Sequence, residues 1–138
     1  MNPSDQRTEG PPSGGIGAIL GLDRLEMLRS DLGTPTVDEM IADFLREMPE
    51  RLAELRRQAA DGAWDAAEFG LHSLKGAGAS LGLDALAEKL RAAEQMVVDG
   101  GARPVGPLLA DLDRLVVLSS AAFTRWKDER PRTGEPVS

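Results

Sequence analysis

Residues 63–82 read AWDAAEFGLHSLKGAGASLG, and the order of apolar and polar side chains in this run decides the fold. On a helical wheel with about 100° per residue, Ala63, Ala67, Gly70, Leu71, Leu74, Gly78 and Leu81 form one stripe. That spacing is the mark of an amphipathic helix with a single buried face. His72, the only histidine of the chain, falls on the opposite side. Asp65, Glu68, Lys75, Gly76 and Ala79 lie within about 60° of it. The imidazole is therefore predicted to face solvent, with an ammonium at i+3 and a bare backbone position at i+4 on the same face. Gly82 makes the turn that follows.

Upstream of this helix, Leu22, Leu25, Leu28 and Leu32 predict a short helix that Gly33 ends. Thr36 and Glu39 have the spacing of a capping box, in which a hydroxyl and a carboxylate satisfy each other's orphan backbone donors. The stripe beyond it is Val37, Met40, Ile41, Phe44, Leu45, Met48, Leu52, Leu55 and Ala59. Pro49 removes one helical hydrogen bond. The apolar phase continues on both sides of it, which predicts a kink rather than an end. Asp61-Gly62 stops the helix.

Downstream, Leu83, Leu86, Leu90, Ala93 and Val97 mark a helix ending at Asp99-Gly100-Gly101. Pro104 suits the first turn of a last one. Its stripe is Val105, Leu108, Leu109, Leu112, Leu115, Val116, Ser119, Phe123 and Trp126. Strand signals are absent. The prediction is an all-α, antiparallel up-down four-helix bundle over residues 18–129, with the short extra N-terminal helix capping one end. Residues 1–17 and 130–138, rich in Pro, Gly and polar side chains, are predicted to be disordered tails.

Composition narrows the chemistry. The 138 residues suit one domain with a core of its own. Without cysteine and with one histidine, disulfides, thiolate sites, cysteine nucleophiles and multi-histidine metal sites are excluded. Sixteen basic against 23 acidic residues give a net charge of −7, a poor balance for nucleic acid. No apolar run reaches membrane-spanning length, and the N-terminus lacks the order of a signal peptide. A cytoplasmic monomer is expected.

Three glycines inside the His72 helix each cost about 1 kcal/mol relative to alanine. Gly70 and Gly78 face inward, where close helix packing accounts for them. Gly76 faces outward beside His72, where packing within the bundle accounts for nothing. Residues that break a local rule without structural gain concentrate at functional sites. The physical use here is clearance, so that another molecule's backbone can reach the imidazole.

The run His72, Lys75, Gly76, Ser80 and Gly82 resembles the signature of the histidine-containing phosphotransfer (HPt) domains of multistep phosphorelays. Phe44 to Leu52, with its Pro49, is similar to the family's second helix. Asp61-Gly62-Ala63-Trp64 is similar to the lead into its histidine helix. The resemblance spans Leu22 to Trp126. It implies that His72 is the phosphoacceptor, taking its group from an aspartyl phosphate of one receiver domain and passing it to the aspartate of another. Lys75 would stabilise the phosphoryl group. Asp65, Glu68, Phe69, Gly76 and Ala79 would form the docking strip. The partners implied are receiver domains of response regulators and hybrid histidine kinases. No cofactor or metal is expected on this chain, because the magnesium ion of such a transfer belongs to the receiver. Nor is the chain expected to be an enzyme with ATP-dependent kinase activity: Gly14-Gly15-Ile16-Gly17 lacks the lysine and the preceding strand of a phosphate-binding loop.

One position departs from the pattern. Some members carry a glutamine on the following helix that hydrogen-bonds near the ring, and here Glu94 or Gln95 falls in that neighbourhood, with no role assigned to either. Two alternatives stay open. One is the phosphoacceptor domain of a chemotaxis-type kinase. The other is a helical adaptor that binds response regulators without transfer. Met1 and the polar tail after the bundle favour a stand-alone carrier.

Overall fold

The computed structural model describes residues 12–100 and 106–130, with the side chains of 12–14 outside that description. Six helices make up the described residues: α1 (Pro12–Ile19), α2 (Leu22–Leu32), α3 (Thr34–Ala60), α4 (Trp64–Ser80), α5 (Asp84–Gly100) and α6 (Gly106–Glu129). The fold is all-α. The last four helices form the up-down bundle. Contacts between neighbours fix their directions. Gly78 of α4 lies near Phe44 of α3 and Ala87 of α5, while Gly70 lies against Leu55. Arg56 pairs with Asp113 at 2.5 Å and Asp38 with Arg130, so α3 and α6 also run antiparallel.

The predicted stripes supply the core. Val37, Ile41, Leu45, Met48, Leu52 and Leu55 of α3 are buried, as are Ala67, Leu71 and Gly78 of α4. All five predicted positions of the fourth stripe, Leu83, Leu86, Leu90, Ala93 and Val97, are buried too. Met40 and Leu32 are exposed, because each stripe is wider than the strip its neighbours cover. Helix α3 runs unbroken through Pro49, whose ring faces solvent, so the missing amide leaves no buried gap.

Three predictions need correction. The capping box at Thr36 and Glu39 is not used. Helix α3 starts three residues earlier, with Pro35 in its first turn and Gly33 as N-cap making no side-chain bond. Proline at that place already has helical φ and no amide to satisfy, so the helix needs no hydroxyl cap. The N-terminal boundary moves as well. Residues 12–17, expected to be part of a disordered tail, lie in α1, which packs on α6 and α5. Ile16 and Leu20 are buried there, each worth roughly 2 kcal/mol of transferred apolar surface. At the other end, Arg130 is held by Asp38 and lies 4.9 Å over the Trp126 ring, rather than beginning a loose tail. Residues 1–11, Gly101, Pro104, Val105 and 131–138 lie outside the described residues.

The turn after α4 is locked to the N-terminal segment. Gly82 has φ +75°, and its carbonyl accepts the Gly21 amide at 2.8 Å. A Cβ on Gly82 would sit 2.9 Å from the Leu25 side chain, which is fully buried. Gly82→Ala is expected to cost about 3 kcal/mol through left-handed strain and overpacking, measured by urea unfolding. Ser119 gives the opposite sign. Its hydroxyl is buried with no hydrogen-bond partner among the described residues, so Ser119→Ala is expected to stabilise the bundle by about 1 kcal/mol in the same assay.

Candidate functional site

The α4–α5 hairpin folds about Leu83, and residues at equal distances either side of it come face to face. His72 of α4 thereby meets Glu94 of α5. The His72 side chain is 65% exposed, with Nδ1 2.9 Å from Glu94 Oε2. Glu94 is only 15% exposed, and its second oxygen, Oε1, accepts from Lys75 Nζ at 2.9 Å. One carboxylate therefore bridges the imidazole and the ammonium. Its carboxyl is held below the usual range, first by the Lys75 hydrogen bond and then by that from His72, against a burial effect that pushes it up.

An ionised carboxylate can only accept hydrogen bonds. In the neutral ring the proton therefore sits on Nδ1, and Nε2 has the lone pair. The arrangement selects the Nδ1–H tautomer of the neutral ring on an exposed imidazole, backed by a negative charge and beside a cation.

The predicted neighbours surround it. Beyond its own helix backbone and chain neighbours, a Cβ built on Gly76 would meet nothing within 4 Å among the described residues, so the position next to the ring is open. Ala79 is exposed one turn further on, and Phe69, one turn earlier, is 73% exposed. Glu68 is half-buried and shares with Asp65, Phe69, His72 and Glu94 a shallow depression of about 470 Å³. On the other flank of Phe69 a groove of about 560 Å³ runs between α3 and α4, lined by Phe44, Met48, Leu55, Gly70 and Leu74 among others. Gly70 faces inward as predicted: its Cβ would come 3.2 Å from Leu55.

Lys75 thus pairs across the hairpin rather than with Glu68 on its own helix face. Glu88 engages Arg91 on its own helix. Of the two residues left without a role, Glu94 reaches the ring, while Gln95 donates to Asp99 at 2.8 Å on the exposed side of α5. The signal that separates them is arithmetic. Glu94 and His72 are equidistant from Leu83, and Glu94 flanks the buried stripe of Leu90, Ala93 and Val97.

A family model described as Hpt domain matches residues 39–125, which takes in α3 from Glu39, all of α4 and α5, and most of α6. No curated protein and no solved structure matches significantly. Among the described residues no group of histidine, cysteine, aspartate and glutamate side chains could hold a metal ion, and no helix is long and apolar enough to cross a membrane.

Proposed function

The chain belongs to the Hpt domain family, and from that premise we propose that His72 accepts a phosphoryl group from the aspartyl phosphate of one receiver domain and passes it to the aspartate of another. Hpt domains serve phosphorelays as phosphocarrier modules rather than kinases, and they interact with receiver domains. The observation that supports the finer reading is the Glu94 bridge, which engages Nδ1 and leaves Nε2 as the acceptor nitrogen of the neutral, exposed ring.

In the accepting step, Nε2 attacks phosphorus in line. The N–P bond forms as the bond to the aspartyl oxygen breaks, and the carboxylate leaves with that electron pair. Positive charge develops on the ring, which keeps its Nδ1 proton, and Glu94 stabilises that charge. The passing step is the reverse, with the electron pair of the N–P bond returning to Nε2. Positioning and charge do most of the work in such transfers. Lys75 supplies positive charge one helical turn from the ring. Glu68, Phe69, Gly76 and Ala79 lie under the docked receiver, with Phe69 as the apolar contact. The carrier is a cytoplasmic monomer in this reading, and the divalent cation of the transfer is the receiver's.

The test is incubation with a receiver labelled on its aspartate. Label is expected to move to this chain in an acid-labile, alkali-stable linkage that maps to His72. Label that stays on the receiver despite binding would indicate the adaptor. Label that arrives only from an ATP-bound kinase domain would indicate the chemotaxis-type phosphoacceptor.

A further inference from the structure

Lys75 faces a choice once His72 is phosphorylated. In the resting protein its ammonium is committed to Glu94 Oε1 at 2.9 Å, while Oε2 of the same carboxylate holds the ring. A phosphoryl group on Nε2 adds a charge of about −1.5 to −2 to that ring. Two anions then flank one imidazole, and the ammonium that is bound to the first belongs to a residue one helical turn from the ring that bears the second. The Lys75 side chain is 28% exposed, and the space beside it at Gly76 is open. Lysine suits such a move, since it is a point charge with three donors on a flexible stem. Glu94 does not suit it. It is buried more deeply, and the Nδ1 proton keeps it in place.

We propose that Lys75 leaves Glu94 for the phosphoryl oxygens when His72 is phosphorylated, and that Glu94, by competing for that ammonium, sets how long the phosphohistidine lasts. The inference rests on His72 being the phosphoacceptor. Its consequence follows from the nature of the transition state. In a loose, metaphosphate-like transfer the electron pair of the N–P bond leaves with the ring, so the phosphoryl group is less anionic than in the ground state. An ammonium on its oxygens therefore holds the ground state more than the transition state and slows loss of the group. A carboxylate that draws the ammonium back keeps the phosphoryl mobile. That is the behaviour a carrier needs and a phosphate store does not.

The experiment loads the protein with phosphoramidate, a small donor that needs no receiver. It follows the phosphohistidine by ³¹P NMR and the Lys75 ammonium by ¹⁵N NMR. In the unsubstituted protein the Lys75 signal is expected to shift on loading. Glu94→Gln, which keeps an oxygen for Nδ1–H and removes the charge, is expected to lengthen the lifetime about fivefold, the scale of one partly exposed ion pair. In a Lys75→Ala background the same substitution is expected to change the lifetime less than twofold, because the competition has lost its object. An unmoved Lys75 signal on a loaded protein overturns the proposal. So does an equal effect of Glu94→Gln in both backgrounds, which would place the carboxylate's action on the ring alone. Failure of His72 to load in the unsubstituted protein is a different result, and it removes the phosphoacceptor reading along with this one.

Discussion

His72→Gln is expected to abolish labelling from a phosphorylated receiver while leaving the helical circular dichroism signal and the melting temperature nearly unchanged. The two halves of this outcome rest on different facts. Loss of labelling is chemical: glutamine offers an amide, which has no lone pair able to form an N–P bond, and the chain has no second histidine to take over. Retention of the fold is structural. The ring is 65% exposed, belongs to no part of the buried core, and makes one hydrogen bond, to a carboxylate that keeps its lysine. Surface substitutions of this kind shift stability by about 0.5 kcal/mol or less. Labelling that survives the substitution would move the acceptor elsewhere. Labelling lost together with the fold would mean that the ring has a packing role its exposure does not suggest.

The bundle was readable because its four long helices each carry an apolar stripe at helical spacing, and turn glycines punctuate them. Gly62 and Gly82 both have positive φ, the property that made them stops in the sequence. What escaped the sequence was decided by tertiary contact. Residues 12–19 hold Pro12 and three glycines, which gave them the look of a loop. They are helical because Ile16 and Leu20, four residues apart, find a buried place against the bundle. Thr36 and Glu39 have the right spacing for a cap, yet Pro35 pre-empts them. At the site, pairs on one helix face were legible, while across two helices the sequence narrowed the ring's neighbour only to Glu94 or Gln95. Lys75 could be assigned neighbours on its own turn by spacing alone, whereas Glu94 comes into range only when the hairpin is folded about Leu83 and residues are counted from both sides. Gly76 was the exception among the glycines. Its cost in helix propensity had no visible return in the sequence, and the structure shows open space around it.

That open space gives the second large expected effect. Gly76→Phe is expected to lower transfer from a phosphorylated receiver by at least about 100-fold while raising stability by a few tenths of a kcal/mol, since phenylalanine is the better helix former. Apart from its own helix backbone and chain neighbours, the Cβ meets no atom of the described residues within 4 Å, so no neighbouring helix resists the new side chain. One turn from His72 on the same face, the phenyl ring would stand where a docking partner must approach the imidazole. Loading by phosphoramidate separates obstruction from chemical damage. A small donor needs little room, so its rate is expected to fall no more than a few-fold in the same variant. Opposite signs for stability and receiver transfer, with the small-donor reaction largely kept, are what clearance predicts and a structural role for the glycine does not. If Gly76→Phe unfolds the protein, the glycine serves packing after all. If receiver transfer persists, the partner reaches Nε2 from the other flank, over the depression lined by Asp65, Glu68 and Phe69. Exposed Phe69, rather than Gly76, would then govern docking.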